Sequence, residues 1–172
     1  MHPVKGRLII FDADGTLRRC KAHHGPCHSD NGQWEIIPGV QEVIDSYRTQ
    51  DLVFGIATNQ AGVELGHRTL PQVFTELALL SHTLLGRSQH PVFLCACPHA
   101  TTPCLCKKPA PGMLFEILES YRRVYDLDLD KVAPDNLLFV GDSVDDLGAA
   151  NRAGIPFCYA HHFFGWEYPY GL

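Results

Sequence analysis

Apolar residues gather along this chain in short unbroken runs, separated by longer stretches in which they recur every three or four positions. The first run, Arg7-Leu8-Ile9-Ile10-Phe11, stops at Asp12, and an uninterrupted run of this length is how a strand buried on both faces reads. Residues 53–57, 92–95 and 137–140 repeat the pattern, and 156–160 repeats it more weakly. Helical spacing fills the intervals: 40–49 after Pro38-Gly39, 69–85, 113–125 after Pro111-Gly112, and 144–153 closed by Gly154. Strand and helix alternate, which predicts an α/β fold whose parallel sheet carries helices on both faces. Ligands then bind beyond the carboxyl ends of the strands. Two of the connections at those ends are long, 18–37 and 96–111, and long connections in compact domains tend to be functional.

With 172 residues the chain reads as one domain with its own core, without repeats or a polar tail. No apolar run approaches the roughly 20 residues that span a bilayer, and the first six residues lack the apolar core of a signal peptide. The expectation is a cytoplasmic monomer with no membrane partner. A net charge of −5 opposes a polyanion, so nucleic acid is not an expected partner. In a reducing compartment the seven cysteines point to metal ligands or free thiols.

Candidate chemistry sits at the strand ends. The first strand runs into Asp12-Ala13-Asp14-Gly15-Thr16 and the fourth into Gly141-Asp142-Ser143-Val144-Asp145-Asp146, so three or more carboxylates converge on one sheet edge. A lone Asp-Gly is a turn. Two acidic strand ends in one parallel sheet point instead to a hard cation such as Mg²⁺, which also binds phosphate oxygens. Thr58-Asn59-Gln60-Ala61-Gly62 ends the second strand with neutral donors suited to phosphate, and Lys107-Lys108-Pro109 brings positive charge to the same edge. Cys97, His99, Cys104 and Cys106 form a closed Cys₃His set, C-x-H…C-x-C, for a structural Zn²⁺ that would pin the loop leading to Lys108. The stretch from Arg18 to His28 adds Cys20, His23, His24, Cys27 and His28. It is either a second metal site or a flap in which Arg18, Arg19 or Lys21 meets a distal anionic group. Cys95 and Cys158 lie in strand runs and read as buried, inert thiols.

Taken in order, Asp-x-Asp-Gly-Thr at 12–16, Thr58-Asn59, Lys108-Pro109 and Gly-Asp-x-x-x-Asp at 141–146 resemble the four motifs of the haloacid dehalogenase-like phosphatase superfamily. The resemblance implies a Rossmann-like sheet with Asp12 as nucleophile and Asp14 as general acid–base. Thr58, Asn59 and Lys108 would hold the transferring phosphoryl group, and Mg²⁺ would sit between the Asp12 carboxylate, the Asp14 backbone carbonyl and Asp142. Asp146, ahead of Asp145, would support the metal without touching it. Lys107, Arg18 and Arg19 are the candidates for contacting the rest of the substrate.

The clip, together with Trp34…Pro38-Gly39-Val40, Thr58-Asn59-Gln60 and Lys108-Pro109…Pro111-Gly112-Met113, resembles a narrower branch. This branch comprises the D,D-heptose 1,7-bisphosphate phosphatases and histidinol-phosphate phosphatases, whose members lack a large cap domain. They usually carry Arg at the positions of Lys107 and Leu65 and a basic residue at Ser143, so this chain departs where a distal phosphate or hydroxyl would be gripped. The function implied is a Mg²⁺-dependent phosphomonoesterase acting on a small phosphate ester, a sugar (bis)phosphate such as D,D-heptose 1,7-bisphosphate. The alternatives are histidinol phosphate and nucleic-acid 3′ ends, whose phosphatases also resemble the chain at Asp-x-Asp-Gly-Thr-Leu and Thr-Asn-Gln. A binding module that had left catalysis would have lost Asp12, Asp14 or Asp142, and all three are present.

Overall fold

The computed structural model describes residues 7–21, 33–47, 52–128 and 134–167. In chain order the elements are β1 (Arg7–Phe11), β2 (Arg18–Cys20), β3 (Trp34–Ile36), α1 (Val40–Tyr47), β4 (Leu52–Asn59), α2 (Leu70–Leu85), β5 (Phe93–Cys97), α3 (Gly112–Tyr125), β6 (Leu137–Gly141), α4 (Val144–Ala153), β7 (Phe157–Tyr159) and α5 (Ala160–Phe164). Five strands form one sheet in the order β5-β4-β1-β6-β7, and every pairing is parallel. The chain leaves β1 toward β4 and β5, then returns to the other side of β1 for β6 and β7. The order therefore reverses at β1, and the loops after β1, β4 and β6 open onto one crevice.

Side chains alternate across β1. Ile9 and Phe11 pack with Phe54, Ile56, Val40 and Ile44 of α1, Leu77 and Leu80 of α2, and Phe164 of α5. Leu8 and Ile10 pack on the opposite face with Val53, Ala57, Met113, Ile117 and Tyr121 of α3, and Ala149 and Ala150 of α4. Both faces are thus covered, which explains the absence of polar interruption in the strands. Two helices begin with capping boxes. Thr69 exchanges hydrogen bonds with Gln72 at the start of α2, and Ser143 does so with Asp146 at the start of α4.

The predicted elements match closely, with three differences. The connection after β1 contains an antiparallel pair, β2 with β3, in the register Arg19↔Glu35. Three residues per strand are too few to show alternation in the sequence. α5 follows β7 without a break, taking Ala160 from the predicted strand run 156–160 and adding a helix the sequence does not predict, because a single helical turn shows no period. Cys158 is only half-buried. Among the described residues, no helix is long and apolar enough to cross a membrane.

Candidate active site

Asp12 follows β1 directly, and its N–H donates to the Val140 carbonyl at 2.9 Å, which carries the β1–β6 pairing one residue further. Oxygens of Asp12, Asp142 and Asp146 come within 4.8 Å of one another. That approach requires glycine at both strand ends. A Cβ at Gly15, where φ is +90°, would lie 2.3 Å from Asp142 Oδ2, and one at Gly141 would lie 2.5 Å from the Asp146 side chain. Burial pushes the Asp12 carboxyl well above the carboxylate range, with Lys108 opposing and Asp146 and Asp142 adding to the rise. Burial and Asp146 likewise lift Asp142 to about 6, against Lys108. Carboxylates that resist ionising together fit a divalent cation, and the all-oxygen set of Asp12, Asp142 and Asp146 is of the kind Mg²⁺ takes. Asp145, by contrast, is exposed.

Lys108 is 3% exposed and sits among the carboxylates. Its Nζ lies 2.5 Å from Asp12 Oδ1 and 2.6 Å from Asp146 Oδ1, and it donates to the Ala57 carbonyl at 2.9 Å. Burial alone would lower its pKa, but Asp12 and Asp146 overcome this and raise it, so the ammonium stays charged. The backbone on either side is braced. Asn59 Oδ1 accepts from Lys108 N–H at 3.0 Å while Asn59 Nδ2 donates to the Lys108 carbonyl at 3.1 Å, and Arg152 Nη1 donates to the Pro109 carbonyl at 2.6 Å. The Lys108–Pro109 bond is cis. Asn59, the expected phosphate donor, uses its amide oxygen and one amide N–H to orient Lys108. The Thr58 hydroxyl accepts from Gln60 Nε2 at 3.0 Å.

Asp14 is placed by two donors, Arg18 Nε at 2.8 Å on Oδ1 and Gln60 Nε2 at 2.7 Å on Oδ2. Arg18 was expected to reach outward to a distal anion. It is fully buried in the structure, facing Asp14 and Glu76, with its guanidinium over the Trp34 ring. Arg19 pairs with Glu35 across the β2–β3 pair at 2.8 Å, and Lys107 Nζ donates to the Ala100 carbonyl. None of these three cations faces the carboxylate cluster. Of the other residues weighed in this stretch, Cys20 is buried, while His23, His24, Cys27 and His28 lie outside the described residues.

The four clip residues come together as the spacing implies. Cys97 Sγ lies 3.2 Å from Cys106 Sγ, 3.7 Å from Cys104 Sγ and 3.5 Å from His99 Nδ1, and these cysteines are not disulfide-bonded. A tetrahedral zinc ion with sulfur ligands at about 2.3 Å would set sulfurs about 3.8 Å apart, close to this cluster. Burial opposes ionisation of Cys104, but the Lys107 N–H and the neighbouring thiols outweigh it and bring the thiol down to about 7. The loop has a second anchor that sequence reasoning missed. Glu64 accepts from the N–H groups of Ala100, Thr101 and Thr102 and from both threonine hydroxyls, and the Ala100 bond foremost lowers its carboxyl to about 2. Gln60, the third residue of Thr-Asn-Gln, ties the same loop through its N–H to the Cys97 carbonyl at 2.7 Å.

With this geometry in place, comparison with known proteins is decisive. The family described as polynucleotide kinase 3 phosphatase matches residues 7–164. The chain belongs to this family of haloacid dehalogenase-like phosphatases. Similar relatives within the superfamily include the D-glycero-beta-D-manno-heptose-1,7-bisphosphate 7-phosphatase of Bordetella bronchiseptica, 32% identical, with 86% of this chain aligned to 76% of that protein. The enzyme of the same description from Pseudomonas putida is 31% identical over 86% of this chain and 78% of its own. The crystal structure of the B. bronchiseptica D,D-heptose 1,7-bisphosphate phosphatase, complexed with magnesium and phosphate, superposes with a TM-score of 0.65 at 30% identity, covering 88% of this chain and 78% of that one. Family membership makes the chain a phosphatase.

Proposed function

We propose that this family member hydrolyses a small phosphomonoester through a phosphorylated Asp12. The observation that carries the proposal is the convergence of Asp12, Asp142, Asp146 and a charged Lys108 at one strand edge, with Asp14 two residues away. An Asp12 oxygen attacks phosphorus and the ester P–O bond breaks, while Asp14 gives its proton to the departing oxygen. Asp14 then takes a proton from water, the resulting hydroxide attacks the acyl phosphate, and the bond from phosphorus to Asp12 breaks to release inorganic phosphate. Lys108 holds one Asp12 oxygen and offsets the repulsion between an anionic nucleophile and an anionic substrate. Mg²⁺, held by Asp12, Asp142 and the Asp14 carbonyl, would supply further charge neutralisation on the transferring group. Zn²⁺ at Cys97, His99, Cys104 and Cys106 would be structural.

The substrate reading is a sugar phosphate, supported by relatives that act on a heptose 1,7-bisphosphate. A second reading, a substrate with one phosphate such as histidinol phosphate, draws support from cations turned inward. Arg18, Arg19 and Lys107 face protein acceptors, and the position of the branch arginine is an exposed Leu65. The experiment is a turnover screen over heptose bisphosphates, sugar monophosphates, histidinol phosphate and 3′-phosphorylated oligonucleotides, with Asp12→Asn as control. We expect loss of at least about 10³-fold in that variant and a phosphoryl group on Asp12 by mass spectrometry of acid-quenched enzyme. Substantial turnover by Asp12→Asn would end the covalent mechanism.

A further inference from the structure

Beyond Arg18 and Gln60, the contacts of Asp14 continue through two residues of no obvious chemistry and return to their start. Arg18 Nη1 donates to Glu76 Oε2 at 3.1 Å, and the other Glu76 oxygen pairs with Arg68 Nη2. Arg68 Nη1 donates to Gln60 Oε1 at 3.1 Å, and Gln60 Nε2 donates to Asp14 Oδ2 at 2.7 Å. Arg18 Nε closes the circuit on Asp14 Oδ1 at 2.8 Å. Five side chains form a ring, drawn from the loop after β1, from β2, from the loop after β4 and from α2. Two carboxylates and two guanidiniums balance its charge.

We propose that Arg68 and Glu76 are positioning residues for proton transfer, acting through Gln60 and Arg18 to hold the Asp14 carboxyl in one orientation. The proposal rests on Asp14 being the general acid–base.

Each link has a reason. A fully buried guanidinium must be paired, and Arg18 meets a carboxylate on either side, so neither can swing away without leaving a buried charge uncompensated. Gln60 has an ambiguous amide: reversed, it would set its oxygen against the Asp14 carboxylate and lose that bond. Arg68 removes that ambiguity, because its guanidinium can only donate and so requires the Gln60 oxygen on its own side. Glu76 in turn fixes both arginines from the first turns of α2, a rigid element. A carboxyl that must protonate a departing oxygen and then deprotonate water has to stand within hydrogen-bond reach of each, and small displacements of such a group are costly.

The test uses Arg68→Met and Glu76→Gln, with Arg68→Lys as the conservative variant and Asp14→Asn as reference. Each protein is assayed on an alkyl phosphate, whose leaving oxygen needs a proton, and on p-nitrophenyl phosphate, whose leaving group does not. We expect kcat/KM for the alkyl ester to fall ~10–100-fold in Arg68→Met and Glu76→Gln, a part of what acid–base catalysis supplies. For the aryl ester, kcat/KM should stay within about 3-fold, while nitrophenolate appears in a burst because slowed hydrolysis accumulates phosphorylated Asp12. Arg68→Lys should recover part of the alkyl activity. The double variant should lose no more than the worse single one, since both break the same ring. Equal losses on the two esters, or no loss on either, would overturn the positioning role. Should Asp14→Asn itself show no preference between esters, the acid–base reading fails first. If Glu76→Gln does not fold, Arg68→Met decides the matter, because it leaves Arg18 with both carboxylates.

Discussion

Lys108 links the stability of the fold to the proposed chemistry. Its ammonium lies between Asp12 and Asp146 and is nearly sealed from water, so it acts as a built-in counter-ion. Replacing it leaves two buried carboxylates facing each other, a loss that for broken buried pairs amounts to roughly 3–5 kcal/mol. Lys108→Met should therefore melt well below wild type without metal, regain part of the difference in Mg²⁺, and lose at least about 100-fold in kcat/KM. Melting curves with and without Mg²⁺ beside steady-state kinetics check this, and an unchanged metal-free Tm would contradict the counter-ion role. The sequence pointed to Lys108 through Lys-Pro, yet its neighbour Lys107 carries the same charge and turns to the Ala100 carbonyl. Asn59 similarly looked like a phosphate donor and became a backbone brace. Adjacent side chains leave a loop in different directions, and residue type does not say which one points inward.

At the scale of elements, the clip loop is the part most dependent on something beyond hydrogen bonds within itself. It runs from the end of β5 to Lys108 with no regular structure, held by two ligand-type side chains near each end, Cys97 and His99 and then Cys104 and Cys106, and by Glu64 from the loop after β4. Cys104→Ser should lower zinc content from one per chain toward none, reduce Tm, and raise KM more than it lowers kcat, because Lys108 hangs from this loop. Elemental analysis, melting and kinetics on protein purified without added metal test it, and full zinc content in the variant would remove Cys104 from the ligand set. The strands β1, β4, β5 and β6 were readable because burial on both faces leaves an unbroken apolar run. The β2–β3 pair was not, since strands of three residues carry no period. It matters, because β2 is what buries Arg18 against Asp14.

Over the whole molecule, the carboxylate cluster couples stability to pH and metal. Burial and Asp146 raise Asp142 to about 6 from an ordinary 3.8, so the native state keeps a proton that the unfolded chain has released. Stability from this group is highest below pH 4 and falls as pH rises toward 6, and Asp12 shifts in the same direction. Mg²⁺ held by this cluster would require the ionised carboxylates and would reverse the trend. Comparing pH 5 with pH 7, Mg²⁺ should raise Tm more at pH 7, and Asp142→Asn should remove part of the metal-free pH slope, Asp12 keeping the rest, and most of the Mg²⁺ effect. Thermal melts at the two pH values decide it, an equal Mg²⁺ shift at both being the contrary result. The sequence by itself determined the order of the five sheet strands and the four long helices along the chain, the acidic residues at two strand ends and the closely spaced clip. Those followed from apolar periodicity and from the rule that parallel strands present all their carboxyl ends at one edge. Only the tertiary structure decided which polar atoms meet: Arg18 buried on Asp14, Glu64 holding the clip loop, Arg68 and Glu76 closing the ring. The reason is physical. Apolar burial is non-directional and leaves its pattern in the linear sequence, whereas a hydrogen bond depends on ångström-scale placement of atoms that the fold draws from distant segments.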